Sequence, residues 1–114
     1  FTTTTYIDST MDLKKLQQLV VSALEDIKGR DIEVINTSRL TSLFERIVIA
    51  SGDSNRQVKA LARSVQEKVG EAGGEVLSVE GEDNGEWVLV DLGDIVVHVM
   101  QPAVRAHYNL EELW

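Results

Sequence analysis

The stretch Glu80–Met100, EGEDNGEWVLVDLGDIVVHVM, decides the fold. Trp87-Val88-Leu89-Val90 and Ile95-Val96-Val97-His98-Val99-Met100 are two apolar runs of strand length, rich in β-branched residues. Such runs suit strands buried on at least one face and permit burial on both. Between them lies Asp91-Leu92-Gly93-Asp94. Glycine accepts positive φ and aspartate side chains bond nearby backbone, so this segment is turn chemistry and the two runs form a hairpin. Ahead of the hairpin, Gly81-Glu82-Asp83-Asn84-Gly85 is a polar, acidic loop bracketed by glycines.

Working back toward the N-terminus, Asp12–Lys28 reads as an amphipathic helix, with Leu13, Leu16, Leu19, Val20, Ala23, Leu24 and Ile27 on one stripe. Ser9, Thr10 or Asp12 supplies an N-cap and Gly29 suits the C′ position. Asp31–Asn36 is a first strand, and Phe44 with Ile47-Val48-Ile49-Ala50 a second, central one. After Ser51-Gly52, capped by Asp53 or Ser54, a second helix runs from Asn55 to about Ala72 and buries Val58, Leu61, Ala62, Val65 and Val69. Gly73-Gly74 ends it, and Glu75–Val79 is the third strand. Past the hairpin, Pro102 opens a short helix and Leu110–Trp114 closes the chain as a turn with two large apolar residues. The order α-β-β-α-β-β-β-α predicts an α/β single-domain sandwich with a mixed, roughly five-stranded sheet and helices packed on it. The helical connection permits a parallel pair between the second and third strands.

A chain of 114 residues with 43% hydrophobic and 26% charged residues is one globular domain. It has no Cys, which excludes disulfides and thiolate metal sites. No run is long enough for a membrane span, and Phe1–Thr5 lacks the basic and apolar regions of a signal peptide. Residues 1–10, FTTTTYIDST, read as a tail outside the fold, on a fragment or a chain with added residues at this end. A net charge of −8 argues against DNA binding through a basic surface and suits a basic partner. From Glu75 onward the acids are Glu75, Glu80, Glu82, Asp83, Glu86, Asp91, Asp94, Glu111 and Glu112, against Arg105 alone. This is either a solvated acidic surface or an acidic docking patch.

Catalytic chemistry finds little support. His98 and His107 lie nine residues apart without a third ligand that spacing identifies, so His98 is read as a hydrogen-bonded, partly buried histidine sharing a strand face with Val96 and Met100. There is no G-x-S-x-G elbow for a Ser-His-Asp arrangement. Neither a metal nor a cofactor is expected, and no enzyme. Trp87, Tyr108 and Trp114 are of the types that dominate interfaces, with core packing the competing role for the first two.

The hairpin stretch, followed by Arg105, Tyr108 and Leu110-Glu111-Glu112-Leu113-Trp114, resembles the ribosomal silencing factor family, also called Iojap-like. That pattern, EG, then W, VD-GD-VVH, R, Y and LE-LW, is present in full. Ser51-Gly52-Asp53-Ser54-Asn55-Arg56-Gln57-Val58 is similar to its SG-x-S-x-R-x-V segment, and Glu45 stands where an Asp is expected. The resemblance covers residues 11–114. It implies a fold nucleotidyltransferase-like in outline, and a cytoplasmic homodimer that docks on the large ribosomal subunit through its fourteenth protein. Occupying that face would block joining of the small subunit, chiefly when nutrients are scarce. By carry-over, Trp87, Asp91, Asp94, Arg105, Tyr108 and Leu110 are the partner-binding candidates, with Gly93 serving the turn. The fold outline also raises an alternative, a nucleotide-binding or nucleotidyl-transferring domain using Ser51-Gly52 as a phosphate cradle. No carboxylate pair at i, i+2 on one strand face follows that turn to hold Mg²⁺, so a helix-cap role for Asp53 and Ser54 is favoured.

Overall fold

A computed structural model of the chain describes residues 11–114, so the tail assigned to residues 1–10 and the caps suggested at Ser9 and Thr10 lie outside the described residues. The elements are α1 (Leu13–Asp26), β1 (Arg30–Asn36), β2 (Arg46–Ser51), α2 (Asn55–Glu71), β3 (Ser78–Glu80), β4 (Trp87–Asp91), β5 (Ile95–Met100), α3 (Pro102–Tyr108) and α4 (Leu110–Leu113). The five strands form one mixed sheet in the order β1-β2-β5-β4-β3. The β4–β5 hairpin is as the sequence predicts, closed by Leu92 N–H donating to Ile95 O at 2.9 Å. Gly93 at φ +91° opens its two-residue loop, and Asp91 Oδ1 accepts from Gly93 N–H at 2.9 Å.

The parallel pair is not where the helical connection suggested. β2 runs parallel to β5, register Arg46↔Ile95 to Ser51↔Met100, while β3 lies at the far edge, with β5 and β4 between it and β2. The physical reason is the composition of β5. All six of its residues are buried, and only a central strand covers both faces of such a run. The hairpin therefore inserts between β2 and β3. The third strand is also shorter than Glu75–Val79 and shifted by one residue at its end: it spans Ser78–Glu80 at the sheet edge, and Leu77 stays exposed.

One face of the sheet carries the main core. Leu16, Val20, Ala23 and Leu24 of α1 and Val58, Leu61, Ala62, Val65 and Val69 of α2 pack onto Val48, Ala50, Val88, Val90, Val97 and Val99. Each Leu or Val side chain among them contributes about 1.5–3 kcal/mol on burial. Asp12 caps α1, accepting from Lys15 N–H at 2.8 Å, and Ser54 caps α2, accepting from Gln57 N–H at 3.1 Å. The α1 terminus corrects the sequence reading. The left-handed position is Lys28, at φ +61°, one residue before Gly29. Gly29 is needed for space instead, because a Cβ there would sit 3.0 Å from Leu24 O and 3.1 Å from Leu61 Cδ2.

Candidate partner-binding groove

The other face of the sheet alternates with the first, as strand geometry requires. From β1, β2, β5 and β4 it presents Ile35, Ile47, Ile49, Met100 and Trp87, and the C-terminal helices α3 and α4 partly cover it through Val104 and Leu110. Neither helix has a fully buried residue, so this layer is thin. Where it ends, an open groove of about 630 Å³ is left. Its lining is mostly apolar: Leu43, Phe44, Ile47, Leu89, Val96, Leu110, Leu113 and Trp114. The polar side chains in it are Glu80, Asp91 and His98, with no Lys or Arg.

His98 is a buried polar group of this face, 8% exposed. Its Nδ1 accepts a hydrogen bond from Trp87 Nε1–H at 3.0 Å. Burial lowers its imidazole from 6.5 to about 4, so the ring is neutral at physiological pH, as an accepting Nδ1 requires. Trp87 also packs on Tyr108, with ring centroids 4.8 Å apart, and Tyr108 meets His107 edge-on at 4.9 Å. Two aromatic rings thus stand between the histidines, and among the described residues no three His, Asp or Glu side chains gather to hold a metal.

The six residues carried over from the family pattern take different positions. Asp91 and Leu110 line the groove. Trp87 and Tyr108 stand together beside it, joined to it through His98. Asp94 is exposed at the hairpin tip and borders a separate depression with Met11, Leu16 and Leu92. Its backbone carbonyl accepts from Glu45 and Arg46 N–H at 2.7 and 3.1 Å, tying the hairpin to the start of β2.

Arg105 is turned inward, its side chain 11% exposed. Its guanidinium donates to Ser51 Oγ at 2.9 Å, Glu33 Oε2 at 3.1 Å and Glu111 Oε2 at 3.0 Å, so it straps α3 and α4 to β1 and β2. The Glu111 carboxyl lies below its ordinary value. Burial pushes it up, but its own backbone hydrogen bond and Arg105 outweigh that. Sequence reasoning missed Leu43, Phe44, Leu89, Val96 and Glu80 as groove lining. The alternation along β4 and β5 holds a signal for Leu89 and Val96; nothing in the sequence marks loop residue Leu43.

The Ser51-Gly52 turn is packed and its amides are engaged. Gly52 N–H donates to Met100 O at 3.0 Å, Asp53 N–H to Gln57 Oε1 at 2.7 Å and Gln57 N–H to Ser54 Oγ. A Cβ at Gly52 would meet Val58 at 3.0 Å, which explains the glycine by helix packing. Asp53 pairs with Arg30. Three of the amides a phosphate cradle could use here are thus spent on the chain itself.

A family model described as "Ribosomal silencing factor during starvation" matches residues 10–114. The chain belongs to that family. The ribosomal silencing factor RsfS of Chromobacterium violaceum is 60% identical over 104 residues, covering 91% of this chain and 85% of that one. A crystal structure of a C. violaceum protein superposes with a TM-score of 0.90 over 91% of this chain and 87% of that one, again at 60% identity. This establishes the α/β fold of the silencing factor independently. A mouse protein named "Mitochondrial assembly of ribosomal large subunit protein 1" is 32% identical over 84% of this chain, which spans 43% of it.

Proposed function

We propose that this silencing factor binds the large ribosomal subunit through its fourteenth ribosomal protein and sterically blocks joining of the small subunit, lowering translation when nutrients are scarce. Family membership supports translation regulation on the ribosome, and the mouse relative's name points to the large subunit. The observation that carries the docking surface is the open apolar groove edged by Glu80 and Asp91, on a sheet face that the chain's own helices leave half covered. Two bodies cannot occupy one surface, so the effect needs no catalysis and scales with concentration over Kd. Trp87, Tyr108, Leu110 and Asp91 shape the docking surface, Arg105 positions the helices that wall it, and Asp94 adds charge beside it. The cytoplasm as location and a homodimer belong to the same proposal.

Co-sedimentation with isolated large and small subunits, with and without a small-subunit challenge, tests it. Pelleting with the large subunit alone and fewer whole ribosomes are expected. A protein that stays in the supernatant at micromolar concentration and moderate salt would refute the proposal.

A further inference from the structure

The groove contains one polar donor whose direction is fixed by the fold. Trp87 Nε1–H can only donate, so His98 Nδ1, 3.0 Å away, must be an unprotonated acceptor. A neutral imidazole carries its single hydrogen on the other nitrogen. His98 Nε2–H is therefore a donor, it has no protein partner among the described residues, and it is not sealed from the groove that the residue lines.

Around it the groove is apolar, with Leu89 of β4 paired directly across from His98 and Val96 two residues along the same strand face. Its rim is acidic at Glu80 and Asp91, with no basic lining residue to neutralise them. At the open edge of the groove the lining residues Leu43 and Leu113 remain 79% and 70% exposed. A small molecule seated at the floor beside His98 would leave the outward surface of those side chains in water. A protein segment would cover them.

We propose that His98 is the specificity-determining polar residue of the groove. Its Nε2–H donates to a carbonyl or hydroxyl oxygen of an inserted protein segment, whose apolar side chain rests on Leu89 and Val96 and whose Lys or Arg meets Asp91 and Glu80. This rests on the large-subunit reading above and names the chemistry the ribosomal partner must present. A partner that offered only carbon at this point would bury the N–H unpaired, weakening binding about 10-fold or more.

The test uses the full chain and isolated large subunits. In the free protein, ¹⁵N NMR of the imidazole should show Nδ1 bare and Nε2 protonated at neutral pH. His98→Phe keeps a ring of similar shape without the donor and should raise Kd for large subunits about 10-fold or more. His98→Gln, which restores an N–H in reach, should recover most of that loss. Trp87→Phe, which removes the donor that orients the imidazole, should also weaken binding and populate the other tautomer. If the wild type binds large subunits and a folded His98→Phe binds equally well, the inference falls while the silencing reading stands. The opposite tautomer in the wild type would overturn the inference as well, and covers the case in which His98→Phe does not fold. Should the wild type fail to bind large subunits at all, both fall together.

Discussion

Acid should destabilise this fold through His98, in a pH range well above that of its carboxylates. The imidazole is lowered from 6.5 to about 4 by burial, so between those values the unfolded chain binds a proton that the folded chain refuses. Stability is then fully present above 6.5 and is lost as pH falls toward 4. Working the linkage from those two values gives a loss of about 1.4 kcal/mol at pH 5.5 and about 3 kcal/mol at pH 4. Glu111 acts in a different window: its lowered carboxyl contributes stability that is lost only below 4.5. Comparing pH 7.5 with pH 5.5 therefore isolates His98. Protonation would also turn Nδ1 from acceptor to donor and set it against Trp87 Nε1–H, so the aromatic pair loosens as the ring charges. Urea unfolding followed by circular dichroism at the two pH values measures the difference directly. The wild type should lose about 1.4 kcal/mol, while His98→Gln, whatever its absolute stability, should change by less than about 0.5 kcal/mol, near the error of extrapolation. Equal losses in both proteins would refute the assignment of the acid sensitivity to this buried ring.

Two glycines with the same backbone angle should respond differently to alanine. Gly73 at φ +88° has open space around it, so Gly73→Ala should cost only the left-handed strain, about 1–2 kcal/mol. Gly81 at φ +89° would drive its Cβ into the Trp87 carbonyl oxygen, so Gly81→Ala should cost about 1–3 kcal/mol more, and equal urea midpoints would contradict this. Arg105→Met should lower stability by about 2 kcal/mol, less than for a fully buried pair because Glu33 and Glu111 retain 53% and 27% of their side-chain exposure; an unchanged midpoint would mean the strap is idle. Asp94→Lys should alter stability by less than about 0.5 kcal/mol, since its side chain makes no hydrogen bond among the described residues, yet slow association with large subunits several-fold at low salt, an effect that fades as salt rises. Asp91→Lys cannot be read as charge alone, because Asp91 also holds Gly93 N–H, so Asp91→Asn is the matching control.

Much of the fold is legible because it rests on local rules. The stripes Leu16-Val20-Ala23-Leu24 and Val58-Leu61-Val65-Val69 announce two helices with one buried face each, and Gly93 between two apolar runs announces the hairpin. Strand order is a different kind of information. Whether β2 pairs with β3 or with β5 depends on which strand most needs both faces covered, a comparison across the whole sheet that no window of residues contains. Arg105 is the same lesson at a single residue. Its acceptors Ser51 and Glu33 lie 54 and 72 positions away, so a motif can mark the arginine but cannot say that it points inward as a strut.

The groove follows from an imbalance that the sequence only half discloses. β5 is apolar at Val96 and Met100 as well as at Val97 and Val99, so both sheet faces must be covered. The long helices α1 and α2 both go to one face, leaving seven-residue α3 and four-residue α4 for the other. That is too little helix to cover the face. The shortfall lies over Leu89 and Val96, and it leaves Leu113 and Leu43 in water, where each costs about 25 cal/mol for every Å² of apolar surface kept exposed. An isolated monomer would gain from burying that surface with a longer C-terminal helix. A partner-binding protein gains from leaving it open, because the same area then drives association. On the docking proposal, the acidic rim and the His98 donor, unpaired among the described residues, restrict which partner collects that energy, and the thin layer over this face is then explained by function.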